Sequence, residues 1–132
     1  MESLAARISD PGHRIKNAEA NKACSWGDVL PDWSEDWLLI ERERFRQLRL
    51  HTMEVLSERL AAEGRFGQAV MAGLAAVAAE PLRESAQRIL IKAHLSEGNR
   101  SEAARQYALY RNLLTSDLGL EPSGELRALL GA

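Results

Sequence analysis

Apolar residues recur every three or four positions along an uninterrupted stretch of the chain from Ser34 to Gly64. This spacing places them on one face of a helix with 3.6 residues per turn. The stretch contains no proline or internal glycine, Ser34 can cap its first turn, and Gly64 can adopt the left-handed conformation that ends a helix. We predict one helix of about eight turns whose apolar face carries Trp37, Ile40 or Glu41, Phe45, Leu48, Thr52, Val55, Leu56 and Leu60.

Later helices are predicted from the same periodicity and from their start and stop signals. The next segment has a face of mainly small side chains, and Pro81 is expected to begin a further helix that ends at Gly98. Asn99 and Glu102 have the spacing of a capping box, so we expect Asn99 to cap a helix that runs to Gly119. A short closing helix then carries Leu126, Leu129 and Leu130.

The chain also contains an internal repeat. Gly64 and Gly98 are 34 residues apart, and the same shift places Leu56 on Leu90. This is the period of tetratricopeptide repeats, in which each unit is a pair of antiparallel helices. Two units bury too little apolar surface to stand as a regular solenoid, so the long helix must cover them. We predict an all-α fold, a tetratricopeptide-like right-handed array of antiparallel helix pairs packed along one long helix.

Composition agrees with this fold and limits the function. Apolar residues make up 45% of the 132, and 17 basic residues stand against 19 acidic ones, which gives no net attraction to nucleic acid phosphates. Cys24 is the only cysteine, the amino terminus lacks a secretory signal, and the most apolar run is too short to cross a bilayer. We therefore expect a cytoplasmic protein without a membrane segment.

No set of residues with catalytic or metal-binding spacing is found. His13, His51 and His94 are far apart, and no serine, cysteine or glycine-rich motif of known chemistry is present. We predict no enzyme activity, no cofactor and no metal site.

Three short segments carry a family resemblance. VLPDW (Val29 to Trp33), PLRES (Pro81 to Ser85) and LGLEPS (Leu118 to Ser123) occur in this order. Together they resemble the bacterial transcriptional activator domain of SARP-type antibiotic regulatory proteins. The resemblance implies a helical domain that takes part in transcriptional activation through protein contacts, with RNA polymerase or another domain of the regulator as partner.

The resemblance also frames the domain organisation. In such regulators a winged-helix DNA-binding domain precedes this domain, whereas here only about 30 weakly patterned residues precede Pro31. We expect residues 1–28 to be an irregular amino-terminal segment with short helices, part of the domain, and residues 29–132 to be the activator domain. Either a fragment of a longer regulator or a free-standing module fits this pattern. Trp26, Trp33 and Trp37 are expected to pin the amino-terminal segment to the helices or to form an aromatic contact site.

Candidate binding residues follow from the repeat. The first helix of each tetratricopeptide unit lines a concave groove, which places an acidic wall opposite a basic one. Such a groove suits an extended peptide or a partner helix, although an ordinary solvated groove has the same composition. The nominated residues are His51, Glu54 and Glu58 on the long helix, and Arg88, Lys92 and Leu95 on the next inner helix.

A second candidate surface is a basic stripe of the long helix formed by Arg42, Arg46 and Arg49. It is either a solvated face with ion pairs at helical spacing or a protein-docking stripe. The favoured function is a non-catalytic interaction domain of a transcriptional regulator that docks a protein or a copy of itself. A free-standing tetratricopeptide-like adaptor unrelated to transcription is the first alternative, and a direct DNA binder that uses the basic stripe is the second, unfavoured one.

Overall fold

A computed structural model describes residues 36–131, and every element in this range is helical. The predicted all-α, tetratricopeptide-like class is thereby confirmed. Predictions about the amino-terminal segment, Cys24 and the caps at Ser34 lie outside the described residues. The helices are α1 (Asp36–Ala62), α2 (Phe66–Ala79), α3 (Glu84–Glu97), α4 (Arg100–Leu118) and α5 (Gly124–Ala128).

The two repeat glycines occupy matching turns. Gly64 has a φ of 78° and Gly98 a φ of 90°, both in the left-handed region that glycine adopts without strain. After α1, the Arg65 N–H donates to the Leu60 carbonyl at 2.8 Å, and after α3 the Asn99 N–H donates to the His94 carbonyl at 2.9 Å. Both helices therefore end in the same hydrogen-bonded motif, as the 34-residue repeat requires.

Successive helices pack side by side, and α3 lies against both α1 and α2. One buried cluster joins α1, α2 and α3, and a second joins α3, α4 and α5. The closing helix contributes Leu126, which is fully buried, to the second cluster. The first cluster consists of Leu56, Leu60, Ala69, Ala72 and Ala93; the second of Ile91, Ala103, Tyr110, Leu114 and Leu126.

The contact between α2 and α3 is close because α2 presents glycine there. A Cβ placed on Gly73 would lie 3.1 Å from the Cα of Leu90. Small residues on the same face, Ala69, Ala72 and Ala76, are also buried. This packing fixes the position of α3 relative to the first helix pair.

The predicted apolar face of the long helix is wrong at its beginning. Trp37 and Ile40 are 61% and 64% exposed, whereas Leu50 and Met53, which the periodicity did not nominate, are fully buried. With 14 residues, α2 is about half as long as the 27-residue α1, so the first turns of α1 extend past it. Further along, α2 and α3 both pack against α1, so the buried face of α1 is wider than the single line of residues that the periodicity predicted.

Two helix starts also differ from prediction. α3 begins at Glu84 with Arg83 at its N-cap, because Pro81 and Leu82 form a turn first. Asn99 does occupy the N-cap of α4, but its side chain makes no capping bond there. Instead, the Asn99 Nδ2 donates to the Glu97 carboxylate at 2.9 Å.

Candidate functional site

The carboxylate of Glu54 lies in the interior rather than in the predicted groove. Glu54 is only 6% exposed. Its Oε2 accepts a hydrogen bond from Arg83 Nε at 2.9 Å and another from Ser85 Oγ at 2.7 Å. Arg83 is held further by Gln47, whose Oε1 accepts from Nη1 at 2.8 Å. Glu54 and Arg83 therefore form an ion pair that joins α1 to the start of α3. The prediction that Glu54 lines the acidic wall of the groove is corrected, because its side chain is buried.

The same turn joins two of the three signature segments, PLRES and LGLEPS. Glu84 follows Arg83, and its Oε1 accepts a hydrogen bond from the Ser123 backbone N–H at 3.0 Å. Gln87 donates to the Pro81 carbonyl at 2.8 Å, which closes the turn before α3. The residues that carry the family resemblance thus hold α1, α3 and the segment before α5 together. We call this set, Glu54, Arg83, Glu84, Ser85 and Ser123, the polar clamp.

The polar clamp has an electrostatic consequence for its neighbour. Tyr110 of α4 is buried, and this burial, followed by the negative charge of Glu84, raises the pKa of its hydroxyl. The phenol is therefore neutral at physiological pH.

One turn beyond Glu54, α1 and α3 separate into an open cleft of about 260 Å³. Glu58 of α1 and Lys92 of α3 line it, and both side chains are exposed. Of the residues predicted for the acidic and basic walls, Glu58 and Lys92 are the two that line this cleft. The floor is formed by small and apolar residues of the two helices. The lining residues are Ser57, Glu58, Ala61, Ala62, Ile89, Lys92, Ala93 and Ser96; we call this the mixed-charge cleft.

The other nominated residues lie away from this cleft. His51 is exposed on α1, and Arg88 is half-buried on α3 with a buried Nε that has no hydrogen-bond partner in the described part of the chain. Leu95 lines a second cleft of about 470 Å³, together with Arg100 and Leu129. The helical periodicity did not predict the small residues that line the mixed-charge cleft. Two consecutive alanines, Ala61 and Ala62, are the sequence feature that could have indicated them, because small side chains leave room between helices.

Arg46 of the basic stripe is paired with neighbouring carboxylates. Arg46 donates to both carboxylate oxygens of Glu43 at 3.1 and 3.2 Å, and to Glu80 at 3.1 Å. The hydrogen bond from Arg46 holds the pKa of Glu43 below its usual value, while that same bond raises the pKa of Arg46. Arg42 and Arg49 are half-buried and also engaged. Arg46 thus has the ion pairs expected of a solvated helix face, and the use of the stripe for protein docking stays a prediction.

The described residues contain neither a group suited to hold a metal ion nor a helix suited to span a membrane. Between Trp37 and Gly131, no three histidine, cysteine, aspartate or glutamate side chains come together. Within the same range, no helix combines the length and apolar character needed to cross a membrane.

These features define a class, a helical-repeat protein with an ion-paired clamp and an open cleft. Comparison with known proteins gives the family: the model of the bacterial transcriptional activator domain matches residues 2–132. The chain belongs to this family, and the resemblance drawn from its signatures is confirmed. It is a domain of a transcriptional regulator, and the family is in general non-enzymatic.

Two curated relatives of this chain are both named regulatory protein AfsR. The protein from Streptomyces coelicolor (strain ATCC BAA-471 / A3(2) / M145) is 32% identical over 103 residues, which cover 78% of this chain and 10% of the relative. The protein from Streptomyces griseus is 35% identical over 130 residues, covering 85% of this chain and 13% of the relative. The chain thus spans about a tenth of the length of these relatives. No solved structure matches it significantly.

Proposed function

We propose that this domain is a non-catalytic docking module of a cytoplasmic transcriptional regulator, and that it binds a protein segment in the mixed-charge cleft. RNA polymerase or another domain of the regulator supplies that segment. The observation that carries this proposal is the presence of one acidic and one basic side chain, Glu58 and Lys92, in the lining of an open cleft between α1 and α3.

The cleft suits a peptide segment better than a small molecule. Its walls carry one charge of each sign, and its floor contains alanine and isoleucine side chains. A partner segment with an apolar side chain between an acidic and a basic group complements this arrangement. Within residues 37–131, neither Glu58 nor Lys92 forms an ion pair, and both are exposed, so a partner can approach them without breaking an existing contact.

Direct DNA binding receives no support from the basic stripe. Arg46 already contacts Glu43 and Glu80, so a phosphate would have to compete with two carboxylates. The chain as a whole carries a formal charge of −2. We expect no gel shift with duplex DNA at moderate salt, and a shift that falls steeply with added salt would favour the DNA-binding alternative.

The experiment is a binding measurement with charge reversals. RNA polymerase from the source organism is titrated against the immobilised chain, with Glu58→Lys and Lys92→Glu as the test variants. Each reversal should weaken binding about tenfold or more, because it places like charges opposite the partner. The matched controls, Glu102→Lys and Arg105→Glu, reverse exposed charges on α4 and should leave binding unchanged.

The control variants separate docking from general electrostatics. Equal loss in all four variants would show that only net charge matters, and no loss in any would place docking elsewhere. If wild type fails to bind polymerase, the isolated remaining domains of the regulator are the next partners to titrate. Failure with these too, together with binding to proteins outside transcription, would favour the free-standing adaptor.

A further inference from the structure

The outward face of α2 is apolar although the fold leaves it in solvent. None of the residues from Phe66 to Ala79 is charged. Four exposed residues, at positions 67, 71, 74 and 78, lie along one side of this helix because each is three or four residues from the next. The two large ones, Met71 and Leu74, are 66% and 42% exposed. We call these four residues, Gly67, Met71, Leu74 and Ala78, the α2 stripe.

The second repeat shows that the fold does not require such a face. A shift of 34 residues carries the α2 stripe onto four positions of α4 that are likewise exposed. These four residues are Ser101, Arg105, Ala108 and Asn112, and all of them except Ala108 are polar or charged. Because the same place in the array is hydrated in one unit and apolar in the other, the α2 stripe has the character of an interaction surface.

The order of residue sizes along the stripe identifies its partner. From one end to the other the side chains are small, large, large and small, so the stripe is symmetric about the midpoint between Met71 and Leu74. When two such helices lie antiparallel, Met71 of one copy faces Leu74 of the other, and Gly67 faces Ala78. This reciprocity is what a two-fold interface between identical chains demands.

Charge favours the same partner. Two copies that each carry a formal charge of −2 repel on average, but α2 itself carries none. The charges at its two ends are paired within each copy: Arg65 with Glu63 at 3.5 Å, and Arg46 with Glu80 at 3.1 Å. The α2 stripe is therefore a surface on which two copies meet without like charges in contact.

We propose that the α2 stripe associates with the α2 stripe of a second copy of this chain, with the two helices antiparallel about a two-fold axis. The 14 residues of α2 are about 21 Å long. One such helix pair buries less than the roughly 1,200–2,000 Å² of stable complexes, so the dimer is weak and depends on concentration. This inference concerns a different surface from the mixed-charge cleft and does not rest on docking there.

Sedimentation velocity of the full 132-residue chain over a wide concentration range tests the proposal. The wild-type mass should rise from that of one chain towards that of two. Met71→Lys and Leu74→Glu should each weaken self-association about tenfold or more, because each buries an unpaired charge at the centre of the stripe. The matched control is Ala108→Glu, at the position of α4 that corresponds to Leu74, and it should dimerise like wild type.

Mixing the two variants tests the antiparallel arrangement. In a mixed dimer, the lysine at 71 of one copy faces the glutamate at 74 of the other, so association should return in the mixture. A wild-type chain that stays monomeric, a loss no greater for Leu74→Glu than for Ala108→Glu, or a mixture that stays monomeric would each overturn the proposal. Circular dichroism of every variant confirms that the helices remain folded.

Discussion

Glu54 and Glu58 lie one turn apart on the same helix, yet they have opposite roles in the structure. Glu54 is buried and accepts hydrogen bonds from Arg83 and Ser85, whereas Glu58 is exposed and lines an open cleft. The difference lies in α3, which begins with the polar clamp beside Glu54 and presents small residues beside Glu58. The interface between α1 and α3 is therefore closed by the polar clamp at one end and open at the other, where we propose that a protein segment binds.

The largest effect is expected at the closed end. Arg83→Met removes the guanidinium from Glu54 and leaves a buried carboxylate whose one remaining donor among the described residues is the Ser85 hydroxyl. We expect the free energy of unfolding to fall by about 3–5 kcal/mol in urea titrations. The double variant Arg83→Met with Glu54→Leu removes the stranded charge and should recover most of the loss. A single variant as stable as wild type would contradict the role of the polar clamp.

A smaller loss is expected where α2 holds α3 in place. Gly73→Val inserts a branched side chain against the backbone of Leu90 and should lower the free energy of unfolding by about 1–3 kcal/mol. Gly67 has open space around its Cβ position and provides the control. Equal stability changes for Gly73→Val and Gly67→Val in thermal unfolding would mean that the close approach is not needed.

The polar clamp should also give the domain an alkaline sensitivity through Tyr110. Burial raises the pKa of the Tyr110 hydroxyl above that of an unfolded tyrosine, so the folded state holds this proton more tightly. The stability that this provides is complete below the unfolded pKa of about 10 and is lost as pH rises through the folded value. Tyr110→Phe should therefore flatten the fall in the free energy of unfolding at pH above about 10; an unchanged slope there would assign that fall to other groups.

The smallest effect on stability belongs to the open end. Glu58→Ala removes an exposed carboxylate that makes no hydrogen bond within residues 37–131, so the free energy of unfolding should change by less than about 0.5 kcal/mol. Chemical denaturation of Glu58→Ala beside Glu54→Ala measures the contrast directly. A loss at Glu58 as large as that at Glu54 would show that both glutamates are structural.

The sequence predicts the helices better than it predicts which charged residues are buried. Gly64 and Gly98 mark the turns because the left-handed backbone conformation there favours glycine. The two glycines are 34 residues apart, and the same pattern of hydrogen bonds ends the helix before each of them. Glu54 and Glu58 are of the same type on one helix face, so only the register of α3 decides which of them is buried. Likewise, Trp37 and Ile40 match the helical period but are exposed, because period alone does not say how far the neighbouring helix reaches.

Hydrogen exchange on the chain with and without its protein partner tests the central claim most directly. On addition of RNA polymerase, or of the regulator domain that binds, backbone amides of residues 57–62 and 89–96 on both sides of the mixed-charge cleft should become protected. Amides of α4 away from the cleft should exchange at unchanged rates. Protection confined to α4, to the basic stripe or to the polar clamp would contradict recognition at the open end of the α1–α3 interface.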